Sequence, residues 1–143
     1  MRLLWILLLI TAHAQAQKSP VFITDGKAIH GYDPVAFFTE SKPVKGDTSI
    51  AINWQGATWL FASVANRDKF LQQPEAYAPQ YGGYCAYGVS DGHKAPTQID
   101  TWSIVEDKLY FNYSQRVKQL WSKEIPGHIK KANTNWQGMK DKE

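Results

Sequence analysis

The chain of 143 residues contains a single cysteine, Cys85. One cysteine excludes an internal disulfide and a cysteine-rich zinc cage. An excess of charge of one sign is also missing: sixteen Lys and Arg stand against thirteen Asp and Glu, a net +3 at pH 7. Nucleic acid as the main partner wants a concentrated basic face, so this near-balance argues against it. Long apolar runs are missing too. The apolar run Leu3 to Ile10 is too short to span a bilayer. No glycine-rich phosphate loop follows a strand and opens a helix, no Ser-His-Asp order stands out, and no histidine pair has i, i+4 spacing.

Arg2, the run Leu3 to Ile10 and the small residues of Ala14-Gln15-Ala16 have the form of a signal peptide over residues 1–16. Cleavage after Ala16 starts the mature chain at Gln17, and cleavage after Ala14 is the alternative. Loss of Arg2 leaves fifteen basic residues against thirteen acidic ones, a net +2. The protein is therefore expected to be exported, to a periplasmic or extracellular space, with no stable membrane insertion after cleavage. The remaining length suits one domain, 17–136, followed by a polar tail, 137–143, expected to fray.

The pattern predicts an α+β fold of two β-hairpins packed with short helices. Val21 to Thr24 is β-like and precedes the turn signal Asp25-Gly26. Asp33 and Pro34 suit the N-cap and first position of a short helix ending near Thr39. Ile50, Ile52 and Trp54 alternate with polar or small residues, then Gln55-Gly56 leads into a second strand, Ala57 to Phe61. Ser63 caps a predicted helix to about Gln73, with Val64, Phe70 and Leu71 as its inward face. From Pro74 to Pro96 periodicity is weak, as in a site-bearing loop. Trp102 to Val105 and Leu109 to Asn112 read as the second hairpin. Ser114 caps a helix carrying Val117, Leu120 and Trp121, and Pro126-Gly127 breaks it. A last helix then presents Ile129, Ala132 and Trp136.

Cys85 stands in Tyr81-Gly82-Gly83-Tyr84-Cys85-Ala86-Tyr87-Gly88. A lone thiol is buried and inert, pairs with another molecule, or reacts as a thiolate. His30 and His93 are the histidines that could serve beside it as ligand or base, and Lys94 could help lower its pKa. Tyr32, Asp33, Tyr84, Tyr87 and Trp102 are candidate pocket residues, although Asp33 reads first as a helix cap and the aromatics as core.

Gly31-Tyr32-Asp33-Pro34-Val35-Ala36-Phe37-Phe38, then Ala57 to Ser63, then Phe70 with Pro74-Glu75-Ala76-Tyr77, resemble the YHS domain. Tyr81 to Gly88, Trp102 and Leu109 to Asn112 resemble its exported single-domain branch, so the similarity runs from about His30 to Trp136. The resemblance implies a small α+β unit and, by way of relatives joined to metal pumps and oxygenases, metal binding. Metal-associated relatives carry cysteines where this chain has Ala36, Ala62 and Asn66. Alanine offers no lone pair and an amide is a poor ligand for soft metals, so that thiolate site is missing. Relatives in the exported branch can carry selenocysteine near the place of Cys85, which implies a reactive chalcogen there.

The favoured expectation is an exported domain that binds copper, zinc or a small ligand, with Cys85, His30 and His93 as metal donors and Asp33 as a further possible donor. The alternatives are a redox enzyme in which Cys85 is catalytic, and a binding or scaffold module in which Cys85 is core.

Overall fold

The computed structural model describes residues 20–142. The expected signal peptide lies outside them. No helix among the described residues is long and apolar enough to cross a membrane.

The α+β class holds, with a third, very short hairpin added at the N-terminus. Strands β1 (Ile23–Thr24) and β2 (Lys27–Ala28) flank Asp25-Gly26, where both residues have positive φ. Such a two-residue turn matches the right-handed twist of the strands it joins. The pair β3 (Asp47–Trp54) and β4 (Ala57–Phe61) turns the same way at Gln55-Gly56. β2 lies parallel to β4, giving a four-stranded sheet in the order β1-β2-β4-β3. A separate hairpin, β5 (Ser103–Val105) and β6 (Lys108–Tyr110), turns at Glu106-Asp107.

Helix α1 (Ala36–Thr39) follows Asp33, whose Oδ1 accepts from the Val35 and Ala36 amides at 2.8 and 3.3 Å. Ser63 and Ser114 cap α2 (Val64–Gln72) and α5 (Gln115–Ser122) through their hydroxyls, at 3.1 and 3.2 Å. Pro74 opens α3 (Pro74–Tyr77), and Pro126 lies in the first turn of α6 (Ile125–Met139). Proline suits that place because the first helical amides have no partner to lose. The segment expected to be irregular also carries α4 (Ala86–Ser90).

Two apolar clusters result. Phe37, Trp59, Phe61, Phe70 and Phe111 centre the first, between the four-stranded sheet, α1 and α2. Tyr81, Val89, Tyr110, Trp121 and Ala132 centre the second, among α4, α5 and α6. Strand periodicity links them: Leu109 and Phe111 belong to the first cluster and Tyr110, between them, to the second.

The rotation of α2 differs from expectation. Phe70 is fully buried, but Val64 and Leu71 are 51% and 55% exposed. The Asn66 amide reaches Asp33 at 2.8 Å, which turns the Asn66–Phe70 stripe inward and the Val64–Leu71 stripe outward. In α5, Trp121 is buried while Leu120 stays 36% exposed. The tail expected to fray continues α6 to Met139, and the Lys94 ammonium donates to the Lys140 carbonyl at 2.9 Å. A cation at a helix C-terminus offsets the partial negative charge of its unpaired carbonyls.

Candidate functional site

Cys85 sits where α4 begins, and it is 1% exposed. The first amides of α4 are all satisfied inside the protein. Ala86 donates to the Phe111 carbonyl at 2.9 Å, Tyr87 to Asn112 Oδ1 at 3.1 Å, and Gly88 to Cys85 Sγ at 3.4 Å. The Tyr113 amide also donates to Sγ, at 3.3 Å, and the thiol reaches Asn112 Oδ1 at 3.5 Å. The sulfur therefore acts as an N-cap, a role usually filled by a hydroxyl or carboxylate oxygen. Burial pushes the thiol pKa up, and the amides of Gly88, Tyr113 and Tyr87 pull it back only in part. A sulfur held in this state is a poor nucleophile near neutral pH.

The histidines do not complete a metal centre with it. His30 is exposed, in a left-handed conformation, with Nε2 2.8 Å from the Thr97 carbonyl and its ring edge-on to Phe22. His93 is exposed and neighbours Gly88. A Cβ added at Gly88 would meet His93 Nε2 at 3.3 Å and Cys85 Cβ at 3.5 Å. With the His93 carbonyl oxygen at 3.1 Å as well, glycine at 88 spares the start of α4 a tight contact with His93. His128, half-buried in α6, pairs with Ser90 Oγ at 3.2 Å. Among the described residues, no three of His, Cys, Asp and Glu assemble into a group able to hold a metal ion. Cys85, His30 and His93 are accordingly not gathered as a donor set.

The candidate pocket residues are dispersed as well. Tyr32 packs on the first cluster and bridges to Lys45, and Trp102 lies 5.6 Å from Phe37. Tyr84 stands between Phe22 and Trp136, at 5.6 and 6.2 Å, with the Lys94 ammonium 5.1 Å above its ring. Tyr87 contacts the His128 ring at 5.1 Å. Asp33 is fully buried, and its Oδ2 accepts from the Ala62 amide and from Asn66 Nδ2, both at 2.8 Å. With Val35 and Ala36 on Oδ1, the carboxylate ties α1 to the start of α2 through four donors.

A cleft of about 630 Å³ opens at the seam between the two clusters, and none of those five candidates lines it. The half-buried Trp54 and Trp136 give it aromatic surface, backed by the buried Trp59 and Tyr81. The signal for it in the sequence was the wealth of tryptophan, but its walls come from segments far apart in the chain.

Residues 35–81 match the model of a protein family described as the YHS domain. No curated protein and no solved structure matches the chain. The matched segment runs from α1 to the rim of the cleft and ends short of Cys85 and the second hairpin. Metal binding is ascribed to this family. The residues here do not fit a soft metal. The positions that hold cysteine in metal-associated relatives, Ala36, Ala62 and Asn66, all donate hydrogen bonds to Asp33. A hydrogen-bonded carboxylate replaces a cluster of thiolates at that place. On this α+β fold, residues 35–81 are thus the part of the chain that matches the YHS domain.

Proposed function

We propose that this YHS domain is an exported, non-catalytic binding module whose ligand is a small molecule, and that Cys85 is a structural cap. One observation carries the reading: Cys85 Sγ is sealed and holds amide donors from Gly88 and Tyr113 in place of a metal or a substrate. A thiol redox enzyme needs a sulfur that is exposed and readily ionised, and this one is neither. A soft-metal carrier needs convergent donors, and no three of His, Cys, Asp and Glu gather into such a group among the described residues.

Thermal unfolding with added Zn(II) or Cu(I), on protein without an affinity tag, tests this. A metal present at 100 times its Kd contributes about 2.7 kcal/mol, which moves the midpoint by several degrees in a domain of this size. The expected shift is below about 1 °C, in the native chain and in Cys85→Ser alike. A shift of several degrees that Cys85→Ser abolishes would refute the reading.

A further inference from the structure

The geometry points to the cleft between the two clusters as a binding site for a neutral, polyhydroxylated small molecule of the saccharide class. This assignment rests on the binding-module reading and gives that module its ligand chemistry.

The walls are rigid. Trp59 is 1% exposed, and its Nε1 donates to the Trp54 carbonyl at 3.0 Å, while the two indoles meet edge-on at 5.6 Å. Trp136 is held against Tyr81 at 5.9 Å, with the Lys94 ammonium 5.6 Å from its ring. The Tyr81 hydroxyl donates to Asn133 Oδ1 at 2.9 Å, leaving the Asn133 amide nitrogen for another partner. The half-buried Trp54 and Trp136 are the indoles a ligand can touch, and their support by the buried Trp59 and Tyr81 leaves little further ordering to be done on binding.

The rim is polar and open to use. Glu75, Gln80, Gln137 and Asp141 line the cleft, and their side chains make no hydrogen bond or ion pair among the described residues. Aromatic faces beside free amides and carboxylates suit a molecule with CH on its faces and hydroxyls on its edges. The CH groups pack on the indoles while the hydroxyls replace water on the amides.

The same lining disfavours other classes. Lys140 is the one cation on a lining that also holds two carboxylates, Glu75 and Asp141, so a phosphate or nucleotide meets more repulsion than attraction. A wholly apolar ligand would strip water from amides and carboxylates without replacing its hydrogen bonds. The volume of about 630 Å³ lies within the usual range for a small-molecule site and exceeds what a single ion would need.

The test is a titration of the mature chain with glucose, maltose, cellobiose and N,N′-diacetylchitobiose, with glucose 6-phosphate and choline as charged controls. The readout is amide and indole chemical shifts. At least one neutral disaccharide is expected to move Gln80, Asn133 and the Trp136 indole N–H together, with Kd between about 10 μM and 1 mM. Gln137→Ala and Glu75→Gln replace exposed rim residues, so both variants keep the fold. At least one should weaken binding about threefold to tenfold, and Trp136→Ala by tenfold or more. No shift with any neutral sugar up to about 10 mM, or saturable shifts only with choline or glucose 6-phosphate, would overturn the assignment. So would shifts that map away from the cleft. The structural role of Cys85 would survive each of these results, because it stands or falls on the thiol and on metal binding alone.

Discussion

Asp33→Ala is expected to lower unfolding stability by about 3–5 kcal/mol, read from urea denaturation. The loss exceeds that of an ordinary cap because the carboxylate serves two elements. Oδ1 takes the amides of Val35 and Ala36, and Oδ2 takes the Ala62 amide and the Asn66 side chain. Alanine strands these donors at a fully buried position. Asp33→Asn should cost less, about 1–3 kcal/mol. Its carbonyl oxygen can keep the cap, and Asn66 can reverse its amide to accept, so the Ala62 amide alone is left facing a donor. A double-mutant cycle with Asn66→Ala should show coupling of about 1 kcal/mol or more. Equal, small losses for Ala and Asn would mean that the carboxylate does not tie α1 to α2.

Gly82→Ala is the second large effect, about 2–4 kcal/mol. Gly82 has φ +63°, and a Cβ there would fall 1.8 Å from the Pro20 carbonyl oxygen and 2.9 Å from Val21 Cα. The obstacle is backbone, so no side-chain rotation relieves it. The Gly82 carbonyl also accepts from the Phe22 amide at 2.9 Å, and Pro20, Val21 and Gly82 share one wall of the cleft. Gly92→Ala is the control. It has φ +87° but nothing within 4 Å of an added Cβ, so it carries the backbone strain without the collision. It should cost about 1 kcal/mol. Similar losses at both positions would show that the N-terminal segment does not press on Gly82.

Local signals in the sequence were sufficient for much of the fold. The Ser63 and Ser114 caps, the Gln55-Gly56 turn and the Ile50-Ile52-Trp54 alternation each need only a few neighbouring residues, and each appears in the structure, whereas the helix expected from Pro34 starts at Ala36, with Val35 as its N-cap and Asp33 bonding the Val35 and Ala36 amides. The rotation of α2 was not legible, because Asn66 is drawn inward by a carboxylate 33 positions away. The site was less legible still. Whether Cys85 is a cap or a nucleophile is decided by Asn112 and Tyr113, 27 and 28 residues further on. His30 was a candidate partner for the thiol, yet its ring is taken by the Thr97 carbonyl. The cleft joins Tyr81 to Asn133 across 52 positions, beyond any periodicity. Family resemblance named the domain and implied a metal, but Ala36, Ala62 and Asn66 had already removed the thiolates, and the structure shows Asp33 in their midst.

The most direct test of a structural Cys85 is its alkylation by iodoacetamide as a function of pH, a clean measurement because the chain has one thiol. Folded protein should react at least about 100-fold more slowly than the urea-unfolded chain between pH 6 and 8, with the rate set by local opening. Rapid modification of the folded protein at pH 6 would reveal an accessible thiolate and contradict the account.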